Sequence, residues 1–458
     1  MIPVVIHAEL PPYMNDVPEV IRAFSPHIQE SPEGVPLRIE LSETDAALSW
    51  RVLLDGTVDA GRIALPDERL LAKRLAKRAV KNAVYRVLSS ACGVSLPYGS
   101  LTGVRPTKLF YDLNGSDSYR IQQLIEQFYV SPARAELIGN VVKNQRGYYL
   151  PSDDKLDLFV NIPICPTRCK YCSFISTEYH RVKRLVPLYV EAVGEEIGQI
   201  ASLAKESGKT LNGIYVGGGT PTSLNAAELE AILKPLSHFG VEFTVEAGRP
   251  DSVTEEKLKA LKDLNVTRIS VNPQTLHDRT LQRIGRGHTT ADFYRAYEGA
   301  AKYGFDINTD LIAGLPGESF EDFRYSLDTV LSLRPENVTV HTLSIKRGAI
   351  FKEEGQEKRV DGAVRAMADY AIDTLCGSGY LPYYMYRQKN MADNLENVGY
   401  CLPDKQCRYN IDYMEESNTV LSAGAGAVSK FVSVADNRIE RRSNAKGFEE
   451  YLRRAGKI

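Results

Sequence analysis

Three of the chain's seven cysteines, Cys165, Cys169 and Cys172, fall within the eight residues CPTRCKYC. A disulfide framework needs an even count and an oxidising compartment, and a closed zinc site normally takes four ligands, so three clustered thiols suit neither. Three thiolates can ligate three irons of a cubane, leaving the fourth iron open to a small molecule that brings its own nitrogen and oxygen atoms. The other cysteines carry less chemistry. Cys401 and Cys407 lack further nearby ligands and read as two separate thiols, while Cys92 and Cys376 sit in helical stretches as core fillers.

A second signal is IYVGGGTPT, Ile214 to Thr222, a strand-like run ending in three glycines. Glycine there lets the backbone approach a ligand with no Cβ in the way, and its amides and carbonyls can bind a zwitterion. Glu246 in FTVEAGRP, Gln274 in ISVNPQTL, Arg286 in IGRGHT and Asp310 in INTDLIAGLPGES each stand at or just after the end of a strand-like run. SAGAGAVSK has the outline of a dinucleotide loop but lacks the third glycine and the following helix, so NAD binding is not expected.

These residues need a scaffold, and the hydrophobic pattern supplies one. Between residues 155 and 350 the runs LDLFVNI, GIYVGG, EFTVEA, RISVNP, FDINTDLIAG and NVTVHTLSI alternate with helical stretches such as LVPLYVEAVGEEIGQIASLAK. Six strand-helix units predict parallel strands with crossover helices, and six fall short of the eight that close a barrel. The expected fold class is therefore α/β, a partial, open (β/α)6 TIM-like barrel over residues 151–352, with the cysteines in the loop after its first strand. Sites in such barrels are built at the carboxyl ends of the strands.

Before the barrel, residues 1–150 predict an α+β accessory domain. The runs IPVVIHAEL, VPLRIELS and ALSWRVLLDG are strand-like, and Leu71, Leu75, Val80, Val84 and Leu88 follow a helical period that Gly93 is placed to end. Lys73, Arg74, Lys77, Arg78 and Lys81 share the other side of that helix, which reads as a solvated basic face because no stacking aromatics are interleaved. After the barrel, residues 353–458 predict an α+β extension on the substrate side, with the helix DGAVRAMADYAIDTLCGSG, the Tyr-rich YLPYYMYRQKNMADNLENVGY and the strand-like NTVLSAGAGAVSKFVS.

Bulk composition narrows the functional classes. With 56 basic and 58 acidic residues the net charge is −2, so no global field draws the chain to nucleic acid or an anionic membrane. The amino-terminal residues MIPVVIHAELPPYM have no basic segment before the apolar run, and no stretch is apolar enough to span a membrane, so a cytoplasmic protein is expected.

The Cys-x3-Cys-x2-Cys spacing, with Tyr171 before the last cysteine, resembles the signature of radical S-adenosylmethionine (SAM) enzymes. That resemblance implies a [4Fe–4S] cluster on Cys165, Cys169 and Cys172, whose open iron chelates the amine and carboxylate of SAM. One electron from the cluster then splits the sulfonium to methionine and a 5′-deoxyadenosyl radical, and the protein's task is to position, exclude water and tune the cluster. The resemblance also assigns cofactor contacts to Phe159, Tyr171, Phe174, Gly218, Gly219, Thr220, Glu246, Gln274, Arg286, Asp310 and Ile312.

IPICPTRCKYCSF, GGGTPT, GRGHT, DLIAGLPGE and GAGAVSK together are similar to the oxygen-independent coproporphyrinogen III dehydrogenases, and PYGSLTGVRPTKL and YRQKNMADNLENVGY look closest to the HemZ-type branch. The implied reaction removes a β hydrogen from a propionate, then CO2 and an electron, leaving a vinyl group, twice per substrate. The implied partners are a tetrapyrrole and a low-potential electron donor. Glu246 and Arg249 are the expected catalytic residues, with Arg249, Lys346, Arg347 and Arg387 as candidates to grip propionates and Tyr383, Tyr384 and Tyr386 as a face for the macrocycle. Three features differ from the dehydrogenases. Phe159 and Asn161 replace a Tyr and a His, and Cys172-Ser-Phe, with Phe174 where a further cysteine is usual, resembles relatives that act as haem chaperones. A haem-trafficking protein, with His341 or another histidine as ligand, and a haem-modifying or methylating radical enzyme therefore stand as alternatives.

Overall fold

The computed structural model describes residues 1–356, 362–388 and 391–458. Asp361, at the start of one helical stretch read from the sequence, and Lys389 and Asn390 in the Tyr-rich stretch lie outside the described residues. The chain forms two compact units, Met1–Gly139 and Asn140–Ile458.

In the first unit β1 (Ile2–Ala8), β2 (Ile28–Glu30), β3 (Val35–Thr44), β4 (Ala47–Leu54) and β5 (Thr57–Ala64) form one sheet in the order β2-β1-β3-β4-β5. The helix Arg69–Cys92 buries Ala76, Val80, Ala83, Val84, Val87 and Leu88, and these join Leu37, Ile39, Leu48, Val52 and Leu54 in one core. Full burial of each Leu or Val contributes roughly 1.5–3 kcal/mol, which fixes the helix on the sheet. Gly93 ends the helix in the left-handed region at φ 65°, as its position in the sequence implied. The basic side of that helix is partly engaged within its own unit: Lys77 and Lys81 lie 3.5 Å from Asp16, and Arg78 lies 5.2 Å from the Phe128 ring centroid. Strand β5 escaped the sequence reading because TVDAGRIA is an edge strand with few apolar residues.

The second unit is built on an eleven-stranded sheet. Strands β6 (Lys155–Ile162), β9 (Thr210–Gly218), β10 (Glu242–Glu246), β11 (Arg268–Ser270), β12 (Asp306–Ala313) and β13 (Asn337–Thr342) run parallel in sequence order, as the six apolar runs predicted. A short parallel clasp, β7 (Ile164–Cys165) with β8 (Thr177–Glu178), closes the loop after β6. The crossover helices begin just past the strands' carboxyl ends. Three of them carry a reciprocal cap, Asn225 with Glu228, Thr289 with Asp292 and Ser319 with Asp322, each contributing about 1 kcal/mol and fixing where a site loop stops.

Residues beyond 352 extend this same sheet and do not form a separate compact unit. Strands β14 (Leu381–Tyr386) and β15 (Asn397–Cys401) add antiparallel to β13, and β16 (Thr419–Ala423) lies parallel beside β6, followed by antiparallel β17 (Val428–Ser433) and β18 (Arg438–Ser443). The barrel thus stays open, with both edges of its parallel core covered by strands from the carboxyl-terminal region. The stretch read as one strand, NTVLSAGAGAVSKFVS, is a hairpin. Gly424 (φ 102°) and Gly426 (φ 74°) turn it, and a Cβ on Gly424 would lie 2.2 Å from the Asn161 carbonyl oxygen. Asn161 donates its amide to the Ala425 carbonyl, so this residue seats the turn against β6. Among the described residues no helix is long and apolar enough to cross a membrane.

Candidate active site

The cysteine loop follows β6 and is tied down by main-chain hydrogen bonds. Lys170 N donates to the Ile284 carbonyl at 2.9 Å, and Phe351 N donates to the Lys170 carbonyl at 2.9 Å. Cys169 is buried, and Cys165 and Cys172 are half-buried. Burial pushes the Cys165 thiol up and the Cys172 thiol to about 11, so thiolate ligation here needs a cationic acceptor such as iron to displace the protons. Among the described residues no three His, Cys, Asp or Glu side chains converge as on a single ion. A cubane does not require convergence, since each cysteine takes a different iron.

The glycine turn at the end of β9 is pressed against this loop. Gly219 N donates to the Ile162 carbonyl and Thr220 N to the Ile164 carbonyl, at 2.9 and 2.8 Å. Thr220 Oγ1 stands 3.7 Å from Cys165 Sγ. A Cβ on Gly219 would come within 2.7 Å of the Ile164 backbone and 3.0 Å of Cys165 Sγ, and Gly218 holds φ 105°. Only glycine permits both the close approach and that backbone angle.

A cavity of about 360 Å³ opens at the strands' carboxyl ends. It is lined by Cys165, Cys169, Cys172, Tyr171, Phe174, Gly218, Gly219 and Thr220, and by Glu246, Arg249, Gln274, Arg286, Asp310 and Ile312. Every cofactor residue predicted from the sequence lies there except Phe159. Its ring centroid sits 6.3 Å from that of Tyr215 and 6.2 Å from that of Tyr409, in a stack packed around β6 and β9.

Asp310 is the most elaborately held polar group. Its carboxylate accepts from Asn272 Nδ2 at 2.9 Å and Asn308 Nδ2 at 2.8 Å, and His341 Nε2 is 3.4 Å away. Gln274 is fixed at φ 68° by a bridge to Leu311, and its buried Oε1 has no hydrogen-bond partner. A buried acceptor of that kind is costly unless a ligand donor meets it. The three thiols, the Cβ-free turn and this orphaned acceptor fit a cluster and a polar zwitterionic nucleoside in one cavity.

Glu246 accepts from Tyr215 Oη at 2.7 Å, and burial, reinforced by the Asp310 charge, pushes it up to about 7 from 4.5. Between those values the unfolded chain releases its proton while the folded protein keeps it, so Glu246 makes stability fall as pH rises through that window, by up to about 3 kcal/mol. The Glu246→Gln variant is expected to match the wild type near pH 4 and to exceed it progressively toward pH 8 in urea melts. Parallel pH profiles would show that Glu246 is solvated and titrates normally.

Two arginines are committed to the protein itself. Arg286 donates to the Gly248 and Asn272 carbonyls at 2.6 Å each and to Tyr171 Oη at 3.0 Å, pinning the cysteine loop to the ends of β10 and β11. Arg249 is a correction. Its guanidinium pairs with Asp251 and donates to Thr167, so it has no fork left for a propionate. Of the other expected cations, Arg387 is buried and donates to Asn394, Arg347 is exposed, and Lys346 lines the cavity. Tyr383, Tyr384, Tyr386 and His341 line it as well. Cys407 also reaches the cavity lining and stands 3.9 Å from Thr244 Oγ1, whereas Cys401 lies 3.7 Å from the Leu381 carbonyl.

Sequence reasoning missed Asn272, Asn308, Tyr215 and Arg268. Asn308 had a legible signal, since Asn308, Asp310 and Ile312 alternate on one face of β12. Arg268 did not: it opens β11 and is drawn inward by Asn337, with Glu242 and Asp306 each 3.6 Å away.

An open parallel barrel that brings three cysteines of its first loop against a glycine turn on its second strand is the arrangement of a radical SAM protein. The description Radical SAM superfamily matches residues 161–330. Over 448 residues the chain is 35% identical to the oxygen-independent coproporphyrinogen-III oxidase-like protein HemZ of Bacillus subtilis (strain 168), covering 93% of this chain and 89% of that protein. It is 37% identical over 210 residues to the heme chaperone HemW of the same organism, covering 44% of this chain and 54% of that one. The solved structure of coproporphyrinogen III oxidase (HemN) from Escherichia coli shares the fold, with a TM-score of 0.54 at 20% identity over 69% of this chain and 72% of that one. The chain belongs to the coproporphyrinogen oxidase-like HemZ family of radical SAM proteins, whose cofactors are a [4Fe–4S] cluster and SAM.

Proposed function

We propose that this chain is a radical SAM oxidoreductase that decarboxylates two propionates of coproporphyrinogen III to vinyl groups. Each propionate loses a β hydrogen atom to the 5′-deoxyadenosyl radical, then CO2 and one electron, which passes to an external one-electron acceptor, while a separate low-potential donor supplies the electron that cleaves SAM. The observation that carries the reading is Lys346, which lines the same cavity as the three cysteines and is joined there by the tyrosines of β14. Its ammonium is half-buried and has no ion pair among the described residues, and burial pulls its pKa down. A carboxylate is the ligand that relieves that cost, through a charge-assisted hydrogen bond.

When bound, the cluster and SAM supply a 5′-deoxyadenosyl radical that takes the β hydrogen. The chain's own residues do the positioning. Lys346 holds the carboxylate that is to leave, Gln274 and Asp310 hold SAM, and buried Tyr383 and Tyr384 keep water from the reacting edge. Glu246, close to half protonated at neutral pH, can exchange a proton with a ligand in the cavity.

The test is anaerobic reconstitution followed by SAM, reductant and coproporphyrinogen III, with product masses and CO2 recorded. Vinyl product is expected from the wild type. The Lys346→Met variant is expected to lose about tenfold or more in kcat/KM, while SAM cleavage without substrate persists. A second reading, haem trafficking, is favoured by one observation: Phe174, which stands where the dehydrogenases commonly carry a further cysteine, lines the cavity and is 69% exposed. Tightly bound haem in the purified protein, with no CO2 and no vinyl product, would replace the first reading with this one.

A further inference from the structure

Arg249 is 2% exposed, and every part of its guanidinium is placed. Nε and Nη2 fork onto the two Asp251 oxygens at 2.9 and 2.7 Å. Nη1 donates to Thr167 Oγ1 at 3.1 Å and to the Thr167 carbonyl at 3.2 Å, and stands 3.7 Å from Cys169 Sγ. The fork needs room that a glycine provides. A Cβ on Gly287 would lie 3.0 Å from Arg249 Nη2 and 3.1 Å from Asp251 Oδ2, so the residue after Arg286 in GRGHT is small because this ion pair passes over it. With Asp251 on the opposite edge of the guanidinium, the edge turned to Cys169 carries the donor and the positive charge.

We propose that Arg249 is a positioning residue that sets the reduction potential of the cluster, by presenting a fixed N–H donor and positive charge to the sulfur of Cys169. Reduction adds negative charge that spreads onto the cluster sulfurs, so a donor held at one of them favours the reduced state and raises the potential. Asp251 holds the donor in place and partly offsets its charge. The two residues therefore act with opposite sign. The inference rests on the cluster and stands whichever tetrapyrrole chemistry the protein performs.

The test is a potentiometric titration of the reconstituted holoprotein without SAM or substrate, followed by electron paramagnetic resonance, with iron and sulfide content measured in parallel. Arg249→Gln is expected to lower the potential, so that at a fixed poise the ratio of reduced to oxidised cluster falls about tenfold, equivalent to about 59 mV for one electron. Arg249→Lys, which keeps the charge and loses the fork, should fall less. Asp251→Asn should move the ratio upward, and it provides the decisive sign if the glutamine variant fails to assemble a cluster. A purely structural role would lower cluster content without moving the potential of what remains. An unchanged potential in cluster-replete Arg249→Gln, or an unchanged or lowered one in Asp251→Asn, overturns the proposal.

Discussion

Replacing Cys169 with alanine is expected to leave the reconstituted protein without its cluster, with iron and sulfide near background and the visible charge-transfer band gone. The proposed ligation is by three thiolates alone, and Cys169 is the buried member, 3.7 Å from Arg249 Nη1, with its carbonyl accepting from Cys172 N at 3.2 Å. Nothing else nearby can substitute, since among the described residues no further set of His, Cys, Asp or Glu converges there. Cys165→Ala and Cys172→Ala should behave in the same way. Cys401→Ala is the control: that thiol is buried behind the cavity wall, 3.7 Å from the Leu381 carbonyl, and its loss should leave iron content unchanged. Full iron and sulfide in all three ligand variants would defeat the assignment.

The second large effect is expected at Asp310. Asp310→Asn keeps the shape of the side chain and removes its charge; its single amide oxygen can accept from only one of Asn272 and Asn308, so the other must turn its own amide. A charge-assisted hydrogen bond contributes about 1.5–3 kcal/mol, so SAM affinity should weaken about tenfold to a hundredfold. Calorimetry on the cluster-loaded variant measures this directly, with iron content as the check that the site is intact. Wild-type affinity would take Asp310 out of the SAM site and leave it as a group that organises the ends of β11 and β12.

The candidate site was legible where function depends on residue type and local spacing. Cys165, Cys169 and Cys172 lie on one loop, so their separation in sequence limits their separation in space, and the glycine turn can be read because glycine alone accepts the required φ. The parallel strands were legible for a similar reason. Strands covered on both faces become short apolar runs, as LFV in β6 and IYV in β9 show, while β12 (DINTDLIA) and β13 (NVTVHT) alternate apolar residues with polar ones that line the cavity. Strand β5 and the Gly424–Gly426 turn were less visible, because an edge strand needs little apolar surface and because glycines within a strand-like run do not announce which carbonyl crowds them.

What the sequence by itself determined, then, is the open α/β barrel and the membership of the radical SAM class, both of which follow from short-range patterns, and the same patterns single out the three cysteines proposed as ligands. The tertiary structure decided what each charged side chain is free to do. Arg249 and Lys346 both read as cations able to grip a propionate. Arg249 folds onto Asp251 and Cys169, whereas Lys346 lines the cavity without a carboxylate. Whether an arginine meets a ligand or an aspartate depends on side chains brought together by long-range packing, and the burial of the Arg249 guanidinium makes its pairing exclusive: forked onto Asp251, it cannot leave for a substrate without exposing an unpaired charge.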